Sequence, residues 1–313
     1  MFAKRWDPVH VGRDGWLFLT GGSNRVMDHY GHGLGRWWRL RAWTRLIEAR
    51  AARAAGLGIR SATLIVPEKL SVYDNLTRDL PYDPGRAPTR VLARRLARNA
   101  AYVDLLQPFR AARDGAPLYL RTDTHWSVEG YLLAYRELMR ALAAVPPAEI
   151  GARPRFEAER LMDLGEKVPG LPRESVSHLV IPRAAERVHA GPLVEAYEAQ
   201  GRASELHSGA HVVFRNADPG IDRRRLVLFG DSYAHFAPIM LTGLLAESFA
   251  EVHFVWSSSF DWGYIERVRP DLLVFELAER FLARVPRDDY DVAAARLAGT
   301  AGPAGAGTRA EPA

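Results

Sequence analysis

The chain has no cysteine among its 313 residues, no internal repeat, no stretch approaching ~18 consecutive apolar residues and no tight basic cluster interleaved with aromatics. The lack of cysteine excludes disulfides, cysteine-ligated zinc, thiol redox chemistry and a cysteine nucleophile, and it fits a reducing or an oxidising compartment equally. The lack of a long apolar run leaves no membrane helix. The opening "MFAKRWDPVHVGRDGWLFL" also lacks the apolar core of a signal peptide, so the sequence as written reads as soluble, with the cytoplasm open as a location. The missing basic–aromatic cluster argues against nucleic acid as a partner, although the net charge is +5 and the pI about 9.6. Such a charge would suit an anionic partner such as an acidic polysaccharide. It is carried mostly by arginine, however, spread over helix-like faces such as "RVLARRLARNA", and reads first as a compositional bias with solvated side chains.

What is present is an ordinary globular composition, 48% apolar and 25% charged, with material for a sizeable core. Periodicity predicts a short strand at "GWLFL" (15–19) and a helix from about Gly35 to Ala55 with Trp38, Ala42, Leu46 and Ala49 on its apolar face. Strands are expected at "SATLIVP" (61–67), "AYVDLL" (101–106) and "PLYL" (117–120), with a helix at about 89–99. A further helix after Trp126 is signalled by Ser127 as cap, Glu129 in the first turn, and an apolar stripe from Val128 to Leu142.

From 145 to 222 the pattern weakens, and only "HVVF" (211–214) reads as extended, so this part is expected to be an irregular insertion or lobe. Strands then return at "RLVLF" (225–229), "EVHFVW" (251–256) and "DLLVFEL" (271–277). Between them a helix is expected from Tyr233 to Phe249 and a short one from Gly263 to Val268. Alternation of strands and helices predicts an α/β fold, a parallel sheet with helices on both faces. One domain is expected over 1–291. The 292–313 tail, nearly devoid of large apolar residues, is expected to be disordered.

Two patches carry chemistry. "YLRTDTHWSVEGY" (119–131) sets Asp123 and His125 one residue apart before a helix, and a carboxylate that orients an imidazole is two thirds of a nucleophilic triad. "GDSY" (230–233) closes a strongly apolar strand, and Ser232 is expected at the N-terminus of the following helix, where free N–H groups would face a developing oxyanion. Serine before a helix also serves as a simple cap, and a lone histidine as a structural one; the weight comes from finding both patches at strand ends. A metal site would need Asp123 and His125 joined by His29 or His32, without any helical His-x-x-x-His spacing, and no metal is expected.

The patches "GRDGWLF", "VPEKLSVY" (66–73), "LYLRTDTHWSVEGY" (118–131), "FGDSYAHF" (229–236) and "RPDLLVFELAERFL" (269–282) together resemble the SGNH hydrolase-like domain family of the alginate O-acetyltransferases AlgX and AlgJ. The resemblance implies an SGNH hydrolase-like fold, similar to flavodoxin, in circularly permuted motif order, with acid and histidine ahead of the serine. It implies Ser232 as acyl-accepting nucleophile, His125 as general base and acid, and Asp123 as the group holding His125. It also implies an extracytoplasmic or periplasmic enzyme that moves acetyl groups onto exported polysaccharides such as alginate, supplied by a membrane-bound O-acyltransferase, without a cofactor. Trp126, Tyr233, Lys69 and Arg280 lie in or beside the matching patches and are candidate contacts to the polymer, with core packing or ion pairing as the plainer reading. The same triad would serve a carbohydrate acetyl esterase, and an idle site would leave a polysaccharide-binding scaffold of an export complex. The oligomeric state is not legible.

Overall fold

The structure, a computed structural model, describes residues 6–294. Its first element is an antiparallel pair, β1 (Val9–Val11) with β2 (Leu17–Leu19). There follow α1 (Leu34–Gly56), β3 (Arg60–Val66), α2 (Lys69–Val72), α3 (Pro88–Arg95), β4 (Tyr102–Val103), α4 (Leu106–Ala112) and α5 (Val128–Ala141). The region after α5 contributes β5 (Arg155–Leu161), β6 (Arg173–Leu179), β7 (Ala185–Ala190), α6 (Pro192–Ala199) and β8 (His211–Asn216). The last part is β9 (Asp222–Gly230), α7 (Met240–Ala246), β10 (Phe249–Trp256), α8 (Trp262–Val268) and β11 (Leu272–Ala278).

Seven strands form the central sheet in the order β4-β3-β11-β9-β10-β8-β7. The five from β4 to β10 are parallel, and β8 and β7 extend the edge in antiparallel sense. Side chains alternate between two buried layers, as the two-residue period of a strand requires. Leu226 and Leu228 of β9 face the α5 and α7 layer, whereas Val227 and Phe229 face the α1 and α8 layer. Helix α7 therefore covers one face after β9, and α8 the other after β10. Between the carboxyl ends of β9 and β10 the connections part to opposite faces, which opens the crevice where α/β sheets place their sites.

Several expectations need correction. The buried face of α1 is Leu40, Trp43, Ile47 and Ala54, and Trp38 is exposed, because the Trp43 indole donates to Leu282 O and turns that face inward. "AYVDLL" supplies only the short β4 before α4 begins, and "PLYL" is not a strand of the sheet. The 145–222 region is ordered: β5 and β6 pair as a hairpin, and β7 and β8 join the sheet. Val292, expected in a disordered tail, is buried, and its N–H donates to Asp261 Oδ2. The remainder of the expected tail, from 295 on, lies outside the described residues. No helix among the described residues is long and apolar enough to cross a membrane.

Gly130, in the first turn of α5, lets that helix sit directly on the preceding loop. A Cβ here would lie 2.0 Å from Leu118 O and 2.8 Å from Trp126 Cβ, both fixed atoms. Gly130→Ala is expected to cost about 1–3 kcal/mol through forced displacement. Thermal denaturation checks this; an unchanged Tm would show a loop that yields freely.

Glu276, fully buried on β11, makes a second expectation. Burial, then the charge of Asp231, raises its pKa well above the ordinary value of 4.5. The folded chain thus holds a proton that the unfolded chain has released, so stability falls as pH climbs from the ordinary carboxyl range toward the folded value. Glu276→Gln removes this titration. Its stability relative to the wild type is expected to rise between about pH 5 and about pH 8. Parallel denaturation curves at the two pH values check it, and a constant difference would contradict it.

Candidate active site

Ser232 lies just past β9, in the crevice. The expected helix from Tyr233 does not form there, since α7 starts only at Met240. Asp231 is the reason: its Oδ1 accepts from Tyr233 N at 2.9 Å, and its carbonyl accepts from Ala234 N and His235 N. His235 then takes a left-handed backbone, φ +65°, and Pro238 follows, so the chain turns instead of coiling. Asp231 Oδ2 also accepts from Ala278 N at 2.7 Å, and Asp231 N donates to Glu276. The serine loop is therefore fastened to β11, the strand beside β9 in the sheet. Among the described residues, the Ser232 backbone N–H donates to no protein group.

Asp123 and His125 sit on a loop folded back on itself. Ser127 N donates to Leu118 O, Leu120 N donates to His125 O, and Tyr119 and Trp126 form an isolated bridge. This is why "PLYL" leaves the sheet: its partners are the residues just after it. Ser127 caps α5 through Gly130 N, as expected. His125 Nδ1 lies 2.6 Å from Asp123 Oδ1, and Nε2 lies 2.8 Å from Ser232 Oγ. The three side chains thus meet across 107 residues of sequence. Burial alone would lower the pKa of His125, but the charge and hydrogen bond of Asp123 outweigh it, and the net shift is upward. Burial would raise the pKa of Asp123, yet the charge of His125, its two hydrogen bonds to the carboxylate and the charge of Lys69 together hold it well below the usual carboxylate range.

The loop's backbone is tied down by side chains from four directions. Lys69 Nζ donates to Leu120 O at 2.8 Å and Arg121 O at 3.0 Å. Burial lowers its pKa to about 8, against the attraction of Asp123, Asp163, Glu174 and Glu68. Glu174 of β6 accepts from Arg121 N at 2.8 Å and from both Thr122 N and Thr122 Oγ1 at 2.5 Å. Asp163 accepts from Thr124 N and Thr124 Oγ1, and Leu164 N and Gly165 N donate to Thr122 O. The Tyr233 hydroxyl donates to Thr124 O at 2.5 Å, and Arg280 Nη1 donates to that hydroxyl and to Glu68 Oε1.

These contacts correct the candidate polymer contacts. Lys69, Tyr233 and Arg280 are buried against protein partners, Lys69 and Tyr233 on carbonyls of the loop and Arg280 on the Tyr233 hydroxyl and Glu68. Tyr233 packs its ring 4.9 Å from that of His125 and 5.0 Å from that of Trp126. Trp126 is only 1% exposed, and among the described residues its indole N–H has no hydrogen-bond partner; it reaches the site as part of a cavity wall.

That cavity, about 520 Å³, opens on Ser232 and His125. Its lining is mainly apolar, and half of it comes from the 145–222 region, including Met162, Val176, Leu179, Ile181 and Leu206; Met240 comes from α7. His235 also faces it. Burial, then the nearby His125 and His207, holds its pKa down to about 4, and because Nδ1 accepts from Ala237 N the neutral ring carries its proton on Nε2. Asp163, Glu174, Asp231 and His235 were not foreseen from sequence. Asp163 does bring a second carboxylate near Asp123 and His125, within 4.8 Å, but its oxygens already accept from Thr124. His29, considered above as a metal partner, is bonded to Asn24 O instead.

Comparison with known proteins agrees with this architecture. The chain is 23% identical over 305 residues to the probable alginate O-acetylase AlgJ of Pseudomonas aeruginosa, spanning 88% of this chain and 70% of that one. It is 28% identical over 156 residues to the Pseudomonas fluorescens protein of the same name, a match that spans 48% of this chain and only 37% of the relative's length. Its fold is similar to the O-acetyltransferase domain of Pseudomonas putida AlgJ, with a TM-score of 0.56 at 17% identity, covering 93% of this chain and 99% of that one. The family model described as SGNH hydrolase-like domain, acetyltransferase AlgX, matches residues 9–258, a span that includes both loops of the site, and this chain belongs to that family.

Proposed function

We propose that this chain is an O-acetyltransferase that moves an acetyl group through an acyl-Ser232 intermediate to a polysaccharide hydroxyl. The observation that carries the reading is the His125 ring, held between Asp123 Oδ1 at 2.6 Å and Ser232 Oγ at 2.8 Å. Ser232 Oγ attacks the donor's carbonyl carbon while His125 Nε2 takes its proton, and Asp123 stabilises the imidazolium. The Ser232 N–H is the donor open to the developing oxyanion. Collapse expels the leaving group, which takes the proton back from His125. The incoming sugar hydroxyl then repeats these steps in reverse on the acyl-serine.

By likeness to the alginate O-acetylases named above, the acceptor is an alginate-like polymer; the resemblance set out from the sequence adds a place outside the cytoplasm and a membrane-bound O-acyltransferase that supplies the acetyl group. A polar cleft of about 410 Å³, with Ser23, Asn24, Ser257, Ser258 and Arg284 in its lining, shares His207 and Trp256 with the apolar cavity and offers partners for sugar hydroxyls.

Incubation with an acetyl ester is expected to leave one acetyl adduct on Ser232, found by intact mass and peptide mapping, and none on Ser232→Ala. Oligosaccharides should discharge it faster than water alone and emerge acetylated. Rapid ester hydrolysis, with no acetyl on any of several acidic and neutral sugars, would assign an esterase instead.

The pH dependence has a definite sign. Only neutral imidazole accepts the serine proton, and the net shift of His125 is upward, so the acylation rate should rise with pH through a midpoint above 6.5. Asp123→Asn removes the charge and leaves the burial, so its midpoint should fall, with a rate loss of about 10³–10⁴-fold. His235, near 4, cannot supply this limb. An Asp123→Asn midpoint equal to the wild type's would assign the shift to another group.

A further inference from the structure

The cavity beside Ser232 is far larger than an acetyl group. At roughly 30 Å³ per heavy atom, the share of a water in the liquid, acetyl fills about 90 Å³ of the 520 Å³ available, and an octanoyl group about 270 Å³. The lining also has the wrong chemistry for the rest of an acidic sugar. Among the described residues no arginine or lysine faces it, although arginine abounds elsewhere on the chain. Val176, Leu179, Ile181 and Leu206 form a buried apolar wall, and Phe156, Val180 and Ile239, all large and exposed, edge the opening. Sugar hydroxyls placed against that wall would lose their hydrogen bonds to water without replacement.

We propose that this cavity is an acyl-chain pocket, and that Ser232 accepts aliphatic acyl groups of about four to eight carbons as well as acetyl, and takes them faster. The proposal rests on Ser232 being the nucleophile. The step is the one already described: Oγ forms the new ester bond, the bond from carbonyl carbon to leaving oxygen breaks, and the proton passes through His125 to the leaving group. The aliphatic tail lies in the cavity, where each methylene leaves water, while the acceptor hydroxyl approaches from the polar side beyond His207 and Trp256.

The test is the turnover of p-nitrophenyl acetate, butyrate, hexanoate and octanoate, with the acyl-enzyme followed by mass. kcat/KM is expected to climb by up to about fourfold per methylene until the cavity is filled. Val176→Phe, which occupies the cavity from β6, should lower the octanoate-to-acetate ratio of kcat/KM by about tenfold or more. Leu206→Phe serves as a second probe if the first does not fold, and an internal ratio is unaffected by the folded fraction. Turnover that is greatest for acetate and falls with each added carbon, or a ratio unmoved by either variant, would overturn the pocket. Turnover of all four esters surviving in Ser232→Ala would instead overturn the nucleophile on which the proposal stands.

Discussion

The backbone of residues 120–125 carries Asp123 and His125, and it does so off the sheet, where no neighbouring strand satisfies its N–H and C=O groups. Buried backbone polar groups need partners, and here side chains supply them. Lys69 takes two carbonyls, Glu174 two N–H groups, Asp163 a third, and the Tyr233 hydroxyl the carbonyl of Thr124. Each of these side chains is held in turn. Tyr233 rests on Arg280, and Arg280 on Glu68. Glu279, one residue before Arg280, accepts from Glu68 N, Ser71 Oγ and Thr89, which pins the ends of β3 and β11 to each other. The placement of one imidazole nitrogen is thus the outcome of buried charge pairing that begins at the sheet.

That arrangement explains why the serine and the histidine can be far apart in sequence yet near in space. Ser232 is fixed by Asp231 to Ala278 at the end of β11, and His125 is fixed by Tyr233, the residue after Ser232, through Thr124. The two loops share a single tyrosine as spacer. Its ring lies under the imidazole, and its hydroxyl holds the carbonyl just before it in the chain, so a shift of one loop carries the other along.

What sequence could supply follows from range. The strands β3, β9, β10 and β11 are each built around a short apolar run, and α5 carries a local cap and stripe; period and capping are local signals, and these elements appear where they were expected. Asp123, His125 and Ser232 could be singled out by residue type, and Ser232 also by its place just past an apolar strand, whereas the strand expected before Asp123 does not form. The failures are non-local. "PLYL" has strand composition but pairs with its own successor, and "SYAHF" has helix composition but is diverted by Asp231. Lys69 and Arg280 read as polymer contacts or as solvated or ion-paired cations, and nothing nearby in sequence announces that Leu120, Arg121, Tyr233 and Glu68 will enclose them. Glu174 and Asp163 were invisible for the same cause, being charged residues in a polar stretch whose partners lie 39 to 53 residues away.

The hairpin β5–β6 joins the loop that holds His125 to the cavity beside Ser232 through the period of one strand. Residues 174, 176 and 178 of β6 share a face: Glu174 grips the loop, Val176 lines the cavity, and His178 stacks on Phe156 at its opening. Pairing of Glu174 with Arg160, Val176 with Ala158 and His178 with Phe156 fixes that face toward the site. A slip of one residue would turn all three away together. Loop geometry therefore constrains position 174 tightly, whereas position 176 is free to change size so long as the strand keeps its register. A family using this hairpin can alter what fits beside Ser232 without moving His125.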